Sequence, residues 1–575
     1  MLLQLAAEEW QVPVSQLKTD QGAVVDSLQP DRRRSYAELT KGKKIERRLT
    51  EKAVLERRRT SASSEVHAAH RLRGQVTGRA RFAGDILFPD IKYARILRPP
   101  AHGATLRSVD TSAAEALEGV QVVRDGDFVA VLADHPELAE KALSQIKADY
   151  DRPSNTVDDK SIFDHILKAE SRGNTVARGG DLETGRGKAV KVVEKTYLNS
   201  YVAHAPMEPH TAVAKFDADR ITVWASTQRP FGLKDEVAQA LGMPAEKVRV
   251  ITPFVGGGFG GKSRNLQAVE AARLAKLSGK PVQVAWTRAE EFFYDTFRPA
   301  AVVKISAGMS VDARIAFWDY GVYAAGQRGS EQFYDIPHHQ TVVYGAGWSG
   351  GGGVHPFGTG AWRAPANYTN TFARESHIDL LAAAAGVDSL EFRFKNLKDE
   401  RMIGVLKAAA EKFGWKPGKA PSGRGWGIAL GIDAGTYVAH MAEVEVDRST
   451  GAIRVQRVVC AQDMGLSINP EGARIQMEGC ITMGLGYALA EEIHFTGGEI
   501  HDLNFDTYEI PRFSWLPEIE TVVLDKREAA AQGGGEPAII CMGAVVANAV
   551  FDACGARVLQ LPMTPERVKA ALAGG

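Results

Sequence analysis

The alternation of apolar and polar positions is clearest between residues 220 and 285. RITVWASTQ (220–228) alternates with period two and predicts a strand, and FGLKDEVAQALG (231–242) has helical spacing closed by Gly242. KVRVITPFV (247–255) predicts a further strand that runs directly into Gly256-Gly-Gly-Phe-Gly-Gly261. The small-residue stretch 265–278 then predicts a helix ended by Gly279 and Pro281. A second strand–helix series starts near 425, with MAEVEVD, AIRVQRVVCAQD and a helix over 471–491, so two αβ halves of similar size are expected to face one another. Upstream, YARILRPP and GVQVVRDGDFVAVLAD predict short strands. The amphipathic segment ELAEKALSQIKADYD predicts a helix, and Asp151-Arg-Pro-Ser-Asn155 an exit linker. That is a small α/β unit over about 64–155. Residues 1–63 read as helical, and no repeat of short period is present.

Composition narrows the function classes. The chain has 575 residues, with 70 Lys+Arg against 70 Asp+Glu, and a balanced charge gives no overall pull toward nucleic acid or anionic membrane. Lys41 to Arg59 holds nine basic residues against three acidic. Aromatics are not interleaved with them, so the stretch reads as a solvated face or a subunit contact rather than a nucleic-acid site. The most apolar run, Ala538 to Ala553, is interrupted by Gly543, Asn548 and Asp552, so no spanning helix is expected. The N-terminus turns acidic too early for a signal peptide. The expected compartment is therefore cytoplasmic on this chain's own signals, with the periplasm open through a partner's export signal. Four cysteines, Cys460, Cys480, Cys541 and Cys554, lack the spacing for a zinc site or an iron–sulfur cluster and read as buried reduced thiols. Any cluster that carries electrons is expected on another chain.

Glycine, at 57 residues, is the unusual count, and much of it falls in runs at 256–261, 347–353 and 533–535. A strand followed by a glycine loop and a helix can present backbone N–H groups to an anion. Gly256, Gly258 and Gly261 fit a dinucleotide pattern, but the ribose-binding acid is missing. Gly256, Gly261, Lys262 and Ser263 fit a P-loop, with only Asp463 loosely offering the magnesium carboxylate. A phosphate cradle and a tight structural turn both stay open. Gln228 ends a strand, Arg363 sits in Gly360-Ala-Trp-Arg-Ala-Pro365, and Glu536 sits in Gly533-Gly-Gly-Glu-Pro537 before an apolar helix. A carboxylate against glycines and an apolar helix is expected to be desolvated, which suits a general base.

Taken together, Ser226-Thr-Gln228, Gly256 to Lys262, Gly360-Ala-Trp-Arg363, Gln476-Met-Glu-Gly479 and Gly535-Glu-Pro537 resemble the molybdenum-binding subunit of the xanthine oxidase family. Val76 to Asp85 and Leu97 to His102 look like that family's hammerhead domain, and Met207-Glu-Pro-His210 adds to the likeness. Within the family the chain is most similar to the β subunits of isoquinoline 1-oxidoreductase and related aldehyde dehydrogenases. The resemblance implies a mixed α/β (α+β) fold. A helical N-terminal remnant over 1–63 precedes a hammerhead domain over 64–155, and two large molybdopterin-binding parts follow over 180–400 and 401–575.

The resemblance also implies a molybdopterin cofactor, as the cytosine dinucleotide, and a 2Fe-2S partner subunit that takes two electrons. Gln228 matches the glutamine whose amide bonds the metal's apical oxo group. Gly257, Gly258, Phe259 and Gly260 match the loop over the metal's ligands, Arg363 and Gln476 flank the pterin, and Gly535 lies beside Glu536. Glu536 matches the general base, which deprotonates the water-derived oxygen that attacks an electron-poor carbon. No side chain is assigned as a direct metal ligand. Two departures stand out. The N-terminal G-Q-G section of isoquinoline-type members is missing here, so a separate chain supplying it is expected, or the chain is incomplete. Ser263 stands where purine-oxidising members have a glutamate, which disfavours xanthine and leaves aldehydes and N-heterocycles. The substrate pocket is expected to draw on Trp362, Phe333 and Tyr334. Two other readings stay open: a catalytically silent paralogue that keeps the fold without cofactor, and a nucleotide-binding enzyme that uses the glycine loop alone.

Overall fold

The structure, a computed structural model, describes residues 1–42, 74–169, 172–349, 353–417 and 423–574. Most of the basic stretch 41–59 and part of the glycine run 347–353 lie outside the described residues. Two compact units are separated at Ala62 and Ser63.

The first unit is not simply helical. Helix Leu2–Trp10 is followed by an antiparallel meander of Leu17–Asp20, Ala23–Asp26 and Arg33–Ser35, then a short helix Tyr36–Thr40. Val24, Leu17, Leu39 and Ala6 form its small core. The Gln21-Gly22 pair reverses the chain between two four-residue strands that are too short to announce themselves by alternation.

In the second unit, one sheet joins regions expected to be separate. Its strand order is Val248–Ile251, Arg220–Ala225, Thr211–Asp217, Val282–Ala285, Lys92–Ile96, Phe128–Ala133 and Val120–Asp125. The last three come from the small α/β region. Val282–Ala285 pairs in parallel with Lys92–Ile96, so that region extends the sheet of its neighbour rather than standing alone. Helices Pro230–Leu241 and Leu266–Ser278 bury Leu233, Val237, Ala271 and Leu274 in the core of this sheet. The helix expected over 137–151 stops at Ser144. Lys147–Asp151 is instead a strand paired with Thr105–Asp110, because its exposed polar face needs no helical apolar stripe.

A six-stranded sheet is built on Lys191–Asn199, Ala301–Met309, Ile315–Tyr323 and His338–Tyr344, and a four-stranded sheet on Arg424–Asp433, Thr436–Val446, Ile453–Asp463 and Glu518–Val523. The buried helices Asn367–Ala385 and Met542–Cys554 join them into one large core. Met542–Cys554 lies so close to Arg424–Asp433 that a Cβ on Gly427 would overlap the Val545 carbonyl, and only glycine permits that approach. The segment Pro537–Cys554 is long and apolar enough for a membrane span, yet 78% of it is buried inside the protein, as expected of a core helix.

Beyond the helix Pro470–Leu489, Glu491 is buried and accepts the Tyr508 hydroxyl at 2.8 Å. Burial pushes its carboxyl up to about 7, against the lowering by Tyr508 and Arg298. Its ordinary value is 4.5, so between 4.5 and about 7 the unfolded chain binds fewer protons than the folded one. Stability from this group therefore falls as pH rises across that window. Glu491→Gln should remove the fall, gaining up to about 3 kcal/mol over the parent above neutrality. Melting curves from pH 5 to 8 check this, and a pH-independent difference between variant and parent would contradict it.

Candidate active site

The Gly256–Gly261 loop leaves the strand Val248–Ile251 and is fixed from beneath. Glu208 Oε2 accepts both the Gly256 N–H at 2.7 Å and the Lys262 ammonium at 2.8 Å. Lys262 is fully buried; burial lowers its pKa and Glu208 partly offsets this. The Gly260 N–H donates to Gln228 Oε1 at 3.1 Å, the Gly261 N–H to the Gly258 carbonyl, and the Ser263 N–H to the Gly260 carbonyl. Three backbone donors of the loop, the Ser263 N–H just beyond it and the Lys262 ammonium are thus taken by protein acceptors. The lysine that a P-loop aims at a phosphate is instead turned under the loop onto Glu208, which removes the P-loop reading.

Gln228 lies beyond its strand, which ends at Ala225, and its backbone N–H is held by the Lys262 carbonyl at 2.8 Å. Gly258 packs on the Gln228 side chain, so a Cβ at Gly258 would stand 2.5 Å from Gln228 Oε1. Phe259 has φ 52°, a conformation costing about 1 kcal/mol or more for a bulky residue, and it keeps 39% of its surface exposed. The Phe259 carbonyl accepts the Arg363 N–H at 2.9 Å, which joins the loop to the Gly360–Arg363 turn. That turn is itself flanked by Ala364 and Ala366 at φ 61° and 64°.

The Arg363 guanidinium ties three separate segments together. Its Nε and Nη2 donate to the Gly535 carbonyl at 3.1 and 2.6 Å, and Nη2 also donates to Gln476 Oε1 at 2.9 Å. Glu536 follows Gly535 and accepts from Arg328 Nη2 at 3.0 Å through Oε2. Arg328 forks onto the buried Asp433 at 2.7 and 2.6 Å, and Asp433 also accepts from Asn367 at 2.7 Å. The expected desolvated carboxylate is therefore corrected: Glu536 is 42% exposed in its side chain and is ion-paired.

These segments enclose a cavity of about 660 Å³. Gln228, Phe259, Gly260, Arg363, Gln476, Gly535 and Glu536 line it, together with Ser263, Arg328 and Trp348. Gly257 and Gly258 shape the loop behind it without lining the space. Trp362, Phe333 and Tyr334 do not line it either. Trp362 is fully buried with Nε1 on the Ala203 carbonyl, the Tyr334 hydroxyl bonds Glu375, and Phe333 packs under Arg374. Arg328 and Trp348 are the residues that sequence reasoning missed. Arg328 stands in Gly326-Gln-Arg-Gly329, the same glycine-flanked setting that drew attention to Arg363. Cys480 lies beneath the Gly535–Glu536 carbonyls, and burial pushes its thiol up to about 12, so it stays protonated and unreactive near neutrality. Cys460 and Cys541 are buried as expected, while Cys554 is only half-buried.

The donor set suits a large polar cofactor. Two guanidiniums, two side-chain amides and exposed glycine backbone face a cavity of cofactor size, and a Cβ on Gly535 or Gly479 would meet nothing nearer than 3.8 Å, leaving that wall open. A mixed α/β protein with a glycine-lined pocket between its two large halves is the class that fold and site define. Residues 167–397 and again 404–517 match the molybdopterin cofactor-binding domain. A nicotinate dehydrogenase subunit of Pseudomonas putida is 30% identical over all of this chain and 52% of its own length. The beta subunit of isoquinoline 1-oxidoreductase from Brevundimonas diminuta is 27% identical over 98% of this chain and 80% of its own. The chain thus spans about half the length of the first relative and most of the second. Quinoline 2-oxidoreductase from Pseudomonas putida 86 superposes with a TM-score of 0.76, at 18% identity, over 88% of this chain and 97% of that one. The chain belongs to the molybdenum-binding subunits of the xanthine oxidase family.

Proposed function

We propose that this chain is the catalytic subunit of an oxidoreductase that hydroxylates an aldehyde or an N-heterocyclic carbon with oxygen from water. The observation that carries the reading is the meeting of Gln228, Phe259, Gly260, Arg363, Gln476, Gly535 and Glu536 on one cavity within molybdopterin cofactor-binding domains. Molybdenum carried by molybdopterin, as the cytosine dinucleotide, would be the two-electron acceptor. Arg363, Gln476 and the glycine backbone at 535 would hold it, with Gly260 shaping the wall against it. Gln228 already spends Oε1 on the Gly260 N–H, which leaves its amide nitrogen as donor. Arg328 holds Glu536 by Oε2, which orients the carboxylate and leaves Oε1 to take the proton from the attacking oxygen. A 2Fe-2S partner would take the two electrons onward, and relatives named as subunits support such a partner.

Nicotinate and isoquinoline in the names of those relatives favour an N-heterocycle, and Ser263 on the pocket wall agrees with a non-purine substrate. Turnover in isotopically labelled water should place the label in the hydroxylated product. Label arriving from molecular oxygen instead would overturn the reading.

A further inference from the structure

Behind the pocket lies a buried ionic pair with no part in the chemistry above. The His204 side chain is fully buried, with Nδ1 2.8 Å from Asp295 Oδ2 and Nε2 2.7 Å from the Ala361 carbonyl oxygen. A carbonyl only accepts, so Nε2 carries a proton. Burial, the largest influence, would lower the pKa of His204, but the charge and hydrogen bond of Asp295, the Ala361 carbonyl and the Glu291 charge together outweigh it and the net direction is up. Burial, the largest influence, would raise Asp295, but the charge and hydrogen bond of His204, the His210 charge and the Thr296 N–H together outweigh it and the net direction is down. Both directions describe an imidazolium bonded to a carboxylate. Asp295 also accepts the Thr296 N–H at 2.6 Å.

The place where this pair acts is specific. The Ala361 oxygen fills the space that a Cβ on Gly260 would need, and His204 Nε2 stands 3.2 Å from the same point. Asp295 crowds the neighbouring Gly261 in the same way, and Thr296 crowds Gly360. The pair therefore sits in the seam between the two segments that carry Phe259, Gly260, Ala361 and Arg363 into the cavity.

We propose that His204 and Asp295 are a positioning pair that sets the spacing of the Gly256–Gly261 loop against the Gly360–Arg363 turn, and so the pocket's ability to retain its cofactor. The proposal rests on the cofactor reading of the pocket. Misplacing pocket walls by a fraction of an ångström is enough to loosen such a site.

Two polar substitutions separate the bonds. His204→Gln can offer an amide donor near the Nε2 position and keep the bond to Ala361, whereas His204→Asn reaches only the Nδ1 position. Measured on the complex purified with its partners, molybdenum per chain should stay within about twofold of the parent in His204→Gln and fall about tenfold in His204→Asn, with unchanged circular dichroism. Equal occupancy in the two variants, high or low, overturns the proposal. If His204→Asn does not fold, His204→Ser, which likewise leaves no donor within reach of the Ala361 carbonyl, replaces it, with the same loss expected, and parental occupancy there overturns the proposal. A parent protein without molybdenum fails the cofactor reading first, and the positioning role falls with it before any variant is compared.

Discussion

Glu536→Gln is expected to lower turnover by about 10²–10⁴-fold while leaving the fold and molybdenum content at parental levels. The amide keeps an oxygen for Arg328 at the place where Oε2 now accepts at 3.0 Å, so the pocket wall is preserved. What is lost is the basic oxygen that takes the proton. Arg328 is itself anchored by the fork onto Asp433, so neither partner has a reason to shift. Substrate turnover and elemental analysis on the same preparation separate the two effects. Turnover near the parental value would remove Glu536 as the base. Loss of molybdenum alongside activity would make it a binding residue instead.

Gly260→Ala is expected to empty the pocket. Gly260 has φ 122°, a region that L-residues rarely adopt, and an added methyl would overlap the Ala361 carbonyl oxygen, which belongs to backbone and has no rotamer to move to. Overpacking costs about 1–3 kcal/mol, backbone strain adds a similar amount, and relief requires the two loops to part. Molybdenum per chain should fall to a small fraction of the parent and the melting temperature should drop. Gly242→Ala is the control: φ is 61° but nothing lies within 4 Å of the added methyl. That variant should lose about 1 kcal/mol of stability and keep its molybdenum. Equal molybdenum in Gly260→Ala and the control would show that the close approach does not govern the pocket.

The elements that alternation identified were local ones. Arg220–Ala225, Pro230–Leu241 and Leu266–Ser278 declare themselves through period and capping glycines. Long-range pairing was out of reach. The parallel register of Val282 with Lys92 merges two regions that read as separate, and nothing near either residue signals the other. Resemblance to a family supplied the pocket residues, but not their directions. Lys262 fits a phosphate-binding pattern by spacing, yet its ammonium is turned under the loop onto Glu208. Trp362 reads as a wall of the pocket while its ring is sealed in the core, with Trp348 taking that place. Arg328 was hidden because its meaning depends on Asp433 and Glu536, which come from distant parts of the chain and touch it only after folding.

The central claim is that the cavity bounded by Gln228, Arg363 and Glu536 holds a molybdenum cofactor. Elemental analysis of protein purified from its native host, without dissociating partners, tests it most directly. The account predicts about one molybdenum per chain, together with iron from a co-purifying 2Fe-2S subunit. A folded, stable chain that carries neither metal would contradict it.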